Sequence, residues 1–377
     1  MWINGWRMLT VSMVSFVILG CVEKGMSGDL EKRVDGLVTA ELQAKHIPGI
    51  AVGIFQKGEI VLAKGYGYAN LEHQVPVTAA TLFQSASIGK QFTAVAVMLM
   101  VEEGKLSLDT SIRQYFPDAP ISWQPITVRH LLNHSSGIAD YFEAMGSDGI
   151  AAFDLRRDYA PDELRHIFYR LPLSFEAGAE FYYSNTGYAL LGFLVKKVSG
   201  QFYAEVLQER VFKPLEMKTA RGISEEDIIA NRSAGYQLLQ GEVKNQEWYA
   251  PLVNTTADGS LYFSLLDYLA WDRGLRAKAI LSEASWAQIY TPVKLNSGQE
   301  YPYGFGWSIH QSKAQPWYHH SGSSQGFNVY LSRHLADDIT IVALTNLNGS
   351  EPWQLVDGLA EIIDPQLAKI AALDDDK

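Results

Sequence analysis

The chain of 377 residues holds a single cysteine, Cys21. Disulfides are thereby excluded from the body of the fold, and so is a thiol nucleophile. Blocks of lysine or arginine are also missing: 31 basic residues stand against 42 acidic ones, a net charge of −11, and nothing suits the tracking of a phosphate backbone. Nucleic acid is set aside as a partner on that ground. Charged residues make up only 19% of the chain and hydrophobic ones 47%, the balance of a compact globule rather than a disordered segment. No internal repeat or low-complexity tract is present.

The apolar run from Met8 to Leu19 is too short to cross a bilayer, and with Arg7 before it takes the form of a secretory signal over residues 1–20. It ends in ILGC, which resembles the lipobox of bacterial lipoproteins. That resemblance implies a lipidated Cys21 as the mature N-terminus and a tether over 21–28. The protein would then be exported and held on a bacterial membrane by lipid alone, facing the periplasm or the exterior. Two acyl chains would anchor it firmly, at about 0.8 kcal/mol for each buried methylene. The terminal residues 372–377 read as a solvated tail.

Between these ends the periodicities describe one catalytic domain over 29–371, of α/β character in the α+β sense. Asp29 to His46 reads as an amphipathic helix, with Asp29 as N-cap and Leu30, Val34, Leu37 and Leu42 on one face. IAVGIF and IVLAKGYGY follow as a hairpin turning at Lys57 and Gly58. Residues 83–300 are mostly helical, and strands return from Tyr303 before a last helix over Glu351 to Ala371. The expected architecture is an antiparallel sheet lobe (29–82 and 301–371) covered by the first and last helices, beside a helical lobe (83–300).

The stretch SASIGKQFTAVAVMLM, Ser85 to Met100, sets a serine and a lysine three apart at the mouth of a helix that is apolar almost all round. Residues at i and i+3 share a helical face, so the Lys90 nitrogen reaches the Ser87 hydroxyl. A desolvated lysine loses its proton more readily and can activate the serine. Two further patterns follow in order: YSN at Tyr183 to Asn185, and HSG at His320 to Gly322. Together they satisfy S-x-x-K, [SY]-x-N and [KH]-[ST]-G.

With these motifs the chain resembles the serine β-lactamase and penicillin-binding-protein superfamily, in the branch of class C β-lactamases, D-alanyl-D-alanine carboxypeptidases, and related esterases and D-aminopeptidases. The resemblance extends to GYGYANLEHQVPVTAATLFQSASIGKQFT (65–93), LLNHSSGI (131–138), YSNTGYALLG (183–192), PLEM (214–217), YGFGW (303–307) and VALTN (342–346). It implies acyl transfer through an acyl-enzyme on Ser87, without metal or other cofactor. Lys90 and Tyr183 would share the proton work, and Asn185, His320, Ser321 and Gly322 would bind substrate. The backbone N–H groups of Ser87 and Ser323 would hold the oxyanion. In relatives that hydrolyse β-lactams efficiently the third motif usually begins with lysine, suited to the substrate carboxylate. Here it begins with His320, which favours a D-amino-acid peptide or ester, a peptidoglycan stem peptide among the candidates, over an antibiotic. The alternatives are a class C-like β-lactamase, a carboxylesterase and a penicillin-binding sensory domain.

Several competing patterns are weaker. GSSQG at Gly322 to Gly326 satisfies the G-x-S-x-G elbow with Ser324 as nucleophile, but FNVYL after it reads as a strand, and no acid followed by histidine comes later. Tyr68 to Asn70 is a second Y-x-N, on the wrong side of Ser87. His130 and His134 lie at i and i+4 with no third ligand spaced to complete a metal site. Residues 138–180, including Tyr141, Phe142 and Tyr169, resemble the family least and are expected to flank the pocket.

Overall fold

The computed structural model describes residues 28–143, 153–311, 316–365 and 367. The signal, the Cys21 anchor, most of the tether and the acidic tail therefore lie outside the described residues. Helix α1 (Gly28–Ala44) buries Val34 and Val38, one turn apart, and carries Asp29 and Glu31 in its first turn. Asp29 is thus inside the helix rather than its cap. Strands β1 (Gly49–Gln56) and β2 (Glu59–Asn70) form the expected hairpin. Lys57 and Gly58 both have positive φ, 55° and 76°, the turn geometry that follows the right-handed twist of paired strands. A short β3 (Val75–Pro76) pairs with the end of β2.

Three helices of the second lobe concern the site: α2 (Gly89–Glu102), α3 (Val128–Leu132) and α4 (Asn185–Ser199). Every residue of α2 from Gly89 to Met100 is buried, as its apolar sequence requires. Thr127 caps α3 by accepting the His130 N–H, and the His130 ring returns the favour to the Thr127 N–H. The helix stops near Leu132, short of Gly137, because His134 turns the backbone to φ 59°. The chain then returns to the sheet through β4 (Ser308–Gln311), β5 (Pro316–Ser324), β6 (Phe327–His334) and β7 (Ile339–Thr345), and closes with α5 (Pro352–Ile363).

These strands make one seven-stranded sheet in the order β4-β5-β6-β7-β1-β2-β3, with antiparallel neighbours throughout. The chain ends of the domain meet in the middle, where β1 pairs with β7 from Ile50 opposite Thr345 to Gln56 opposite Ile339. Both faces are apolar but serve different cores. Ile50, Val52, Ile54, Ile341 and Ala343 face α1 and α5, where Leu355 and Leu359 meet them. Ala51, Phe55, Val342 and Leu344 point the other way, into the core built around α2. The period-two alternation thus sorts residues between two cores rather than between core and water. Truncating a buried leucine such as Leu344 or Leu359 to alanine costs about 2–5 kcal/mol in a setting of this kind. The free end of β5 reaches the helical lobe beside the N-terminus of α2, and there the three motifs meet.

Candidate active site

A miniature sheet frames the nucleophile. Phe83–Gln84 pairs with Leu261–Phe263, so the chain entering at Ser85 and the loop ending at Ser260 run side by side. The Ser85 N–H donates to Leu261 O at 2.8 Å and its hydroxyl donates to Gly259 O at 2.8 Å. Ala86 then takes φ 43°, a left-handed conformation that an alanine adopts at a cost. Ser87 consequently sits in a 3-10 turn, Ala86–Ile88, and not in the first turn of the α-helix, which begins at Gly89. The spacing still works: Lys90 Nζ lies 3.0 Å from Ser87 Oγ.

Lys90 is wholly buried. Its ammonium donates to Ser87 Oγ, to Asn185 Oδ1 at 2.7 Å and to Asp258 O at 2.6 Å. The Tyr183 and Tyr188 rings flank it at 4.9 and 5.6 Å. Burial brings its pKa down to about 8, against the opposing pull of the Asp258 and Asp140 charges. At pH 7 about a tenth of such a group is neutral. Tyr183 moves the other way: burial pushes its phenol up, the Ser87 hydroxyl opposes the shift, and Asp258 and Asp140 add to it. The two neighbouring groups are pushed in opposite directions, which leaves Lys90 fit to accept a proton and Tyr183 fit to donate one.

Asp140 and Asp258 were not expected from the sequence. Asp140 receives the Phe142 N–H at 2.8 Å and the Asn185 N–H on its other oxygen, which fixes the start of α4. Asp258 receives the Tyr141 hydroxyl at 3.0 Å. Asp258 stands in a loop of small residues, TTADGS, and Asp140 in a loop between Ala139 and Tyr141, positions where an aspartate reads as solvated and only the fold buries it. The loop carrying Asp258 is pressed onto the nucleophile turn, since a Cβ on Gly259 would lie 2.5 Å from Ala86 O.

The HSG segment approaches from the opposite side. A side chain on Gly322 would place its Cβ 2.8 Å from Ser85 O and 2.9 Å from Ala86 Cβ, so only glycine lets β5 pass this close to Ser87. Ser323 thereby joins the cavity wall beside Ser87. His320 does not. It is buried, and a directed chain of hydrogen bonds engages both of its nitrogens. The Ser184 N–H can only donate, so His134 Nδ1 accepts it at 3.1 Å. His134 is neutral because burial and the Lys90 charge hold its pKa well below 6.5. Its proton is then on Nε2, which donates to the Tyr303 hydroxyl at 3.3 Å. The Tyr303 hydroxyl bonds His320 Nε2 at 2.9 Å, and His320 Nδ1 donates to the Ser321 carbonyl at 2.6 Å. The Ser184 N–H thus sets the His134 tautomer, and the Ser321 carbonyl places a proton on His320 Nδ1. The expected role of His320 as a carboxylate anchor finds no nitrogen turned to the cavity. His134 also stacks on Tyr183, with ring centroids 4.2 Å apart, so the chain braces the tyrosine.

The cavity at Ser87 has a volume of about 240 Å³. Asn185, Asp258, Ser323, Phe142, Tyr249 and Asn348 are among its walls. Tyr141 and Phe142 stand at the site as expected, whereas Tyr169 packs against Trp123, 5.2 Å between ring centroids. Ser324 donates to Gln84 Oε1 at 3.0 Å and is followed by the β5–β6 turn, so no elbow forms there. Tyr68, at the end of β2, is exposed. Among the described residues no cluster of three or more His, Cys, Asp or Glu side chains could hold a metal.

The beta-lactamase family model matches residues 34–361, nearly the whole described domain. The chain belongs to the beta-lactamase family. Among its relatives, penicillin-binding protein 4* of Bacillus subtilis (strain 168) is 29% identical over 303 residues, 77% of this chain and 66% of that protein. A D-aminopeptidase of Gluconobacter oxydans (strain 621H) is 27% identical over 326 residues, 85% of this chain and 60% of that protein. This beta-lactamase-family chain therefore spans about two thirds or less of the length of both relatives. The octameric penicillin-binding protein homologue from Pyrococcus abyssi has the same fold, with a TM-score of 0.74 and 29% identity over 88% of this chain and 77% of its own.

Proposed function

We propose that the protein is a serine hydrolase that forms an acyl-enzyme on Ser87 and acts on D-amino-acid peptides, amides or esters. The observation that carries this reading is the Lys90 nitrogen 3.0 Å from Ser87 Oγ, in a site that brings the lysine pKa down to about 8. Neutral Lys90 takes the proton as Ser87 Oγ attacks the carbonyl carbon. The oxyanion rests on the backbone N–H groups of Ser87 and Ser323. Tyr183, the protonated partner beside both, supplies a proton to the departing amine or alcohol. Water attacks the ester by the reverse of these transfers and frees Ser87. Asn185, held by Lys90 at Oδ1, keeps its amide N–H groups for the substrate carbonyl.

Ser87→Ala is expected to abolish turnover and covalent labelling by a fluorophosphonate, while Ser324→Ala keeps the labelled serine. An adduct found on Ser324 by intact-protein and peptide mass spectrometry would refute the assignment. The lipid anchor belongs to the same proposal: Cys21→Ser should move the protein from the membrane pellet to the soluble fraction.

A further inference from the structure

We infer that the site selects acyl donors carrying an ammonium group and that Asp258 is the side chain that receives it; this rests on the acyl-enzyme reading above. The argument is a charge count. Among the described residues Lys90 is the one lysine or arginine buried at the site, and it faces two buried carboxylates, Asp140 and Asp258. Of the two histidines behind Tyr183, His134 is held neutral by burial and the Lys90 charge, and both nitrogens of His320 are engaged away from the cavity, by Tyr303 and the Ser321 carbonyl. Tyr183 and Tyr141 are held as phenols by burial. With Lys90 protonated, the lysine and the two carboxylates together carry one net negative charge. When Lys90 gives up its proton to become the base, the three carry two.

A substrate ending in a carboxylate deepens that imbalance, and none of the described residues lining the cavity is a lysine, arginine or histidine able to offset it. An ammonium cancels it. The two aspartates are not equivalent in this respect. Both oxygens of Asp140 already take backbone N–H groups, from Asn185 and Phe142, and the residue stands behind the wall. Asp258 lines the cavity, and the Tyr141 hydroxyl fixes one of its oxygens. Its main-chain carbonyl is meanwhile tied to Lys90 Nζ at 2.6 Å, so its side chain is anchored a residue's width from the base. An α-ammonium next to the scissile carbonyl is the cation that fits a receptor so close to Ser87. The chemical class is therefore an amino-acid amide or ester, or a peptide cleaved after its free N-terminal residue. It is not a peptide held by its C-terminal carboxylate.

The test compares kcat/KM for D-alanine p-nitroanilide, its N-acetyl form and its N-succinyl form, with p-nitrophenyl butyrate as a charge-free control. The free amine should exceed the acetylated substrate by roughly tenfold or more, as a charge-assisted hydrogen bond implies, and the succinylated one should be slowest. Raising the ionic strength from about 0.01 M to 1 M shortens the screening length from about 30 to 3 Å and should shrink that ratio. In Asp258→Asn the ratio of amine to acetylated substrate should fall to about one, because the isosteric amide keeps the shape and removes the charge. A purely balancing role for Asp258 toward Lys90 would slow both substrates equally, and an unchanged ratio overturns the inference. So do equal wild-type rates for the three anilides, or none at all, when Ser87 is labelled and the butyrate is hydrolysed. If Ser87 takes no label and no substrate turns over, the acyl-enzyme reading falls, and the inference with it. Should Asp258→Asn fail to fold, the wild-type ratios and their salt dependence still decide.

Discussion

Two buried polar clusters meet at the Tyr183 ring, and they satisfy their polar groups in opposite ways. On one side Lys90, Asp140 and Asp258 are ionisable groups gathered around Asn185, and the interior moves the Lys90 pKa down and the Asp140 pKa up. On the other, His134, held neutral by burial and the Lys90 charge, is linked through Tyr303 to His320 in a chain that starts on a backbone N–H and ends on a backbone carbonyl. The charged cluster is poised to move a proton, because each displacement makes one transfer easier. The histidine–tyrosine chain is suited to hold position, since a backbone group closes it at each end. On the acyl-enzyme reading proposed above, catalysis and alignment fall to separate groups that share one tyrosine.

The largest effect that would break this comparison belongs to Lys90→Met. With the base removed, kcat should fall by about 10²- to 10⁴-fold. In the wild type, kcat/KM for a neutral ester should rise with pH through about 8, as Lys90 loses its proton, and the substitution should remove that rise. Stability should follow the same group. The folded pKa lies below that of the unfolded chain, near 10.5, so the unfolded state binds more protons in between. Stability therefore rises from about pH 8 toward 10, and the buried phenols, whose pKa values are raised, reverse the trend above that. Melting curves of Lys90→Met against pH should lack the rising limb.

Next in size is Gly322→Ala. The new methyl must push β5 off Ala86, and a displacement near 1 Å at the oxyanion site is expected to cost about 10²-fold in kcat. The melting temperature should fall as well, since overpacking of this kind costs about 1–3 kcal/mol, and an unchanged kcat would show that β5 tolerates the shift. Tyr303→Phe comes third. It strands the His134 Nε2–H and His320 Nε2 in the interior, costing about 1–3 kcal/mol for each group left unpaired. The loss should show in chemical denaturation, with a smaller fall in kcat as Tyr183 loosens. A kcat loss as large as that of Lys90→Met would mean the histidine–tyrosine chain moves protons after all. The smallest effect is expected on the surface, where Lys64 meets Asp35 and Glu31 at 2.8 and 3.0 Å on side chains more than a third exposed. Lys64→Met should cost less than about 1 kcal/mol, and less still in high salt.

The sequence made the charged cluster half visible. Ser87 and Lys90 could be paired because spacing along a helix is local geometry, and Tyr183 and Asn185 because they precede another apolar helix. The sheet lobe was legible from IAVGIF and VALTN, runs that only a two-faced buried strand would use. Asp140 and Asp258 escaped notice because an aspartate in a loop has the same local pattern whether water or protein surrounds it. His320 was seen, yet its partner was not. Tyr303 lies on the approach to β4, and nothing in the chain order says that its hydroxyl reaches back to the imidazole and forward to His134. The left-handed Ala86 was equally hidden, since alanine is not a residue that announces positive φ.

The turn at Ala86 has a consequence for redesign. Two glycines from separate elements, Gly259 from the loop and Gly322 from β5, close on the same alanine from different directions, leaving no room for an added carbon on either. The nucleophile's mounting is therefore a keystone joint: each neighbour constrains the others, and single exchanges there meet backbone rather than a yielding side chain. Phe142, Tyr249 and Asn348 line the same cavity on side chains outside that joint. Variation offered to a directed-evolution screen can be spent on that rim, where the chain can trade one substrate for another without disturbing how the serine is held.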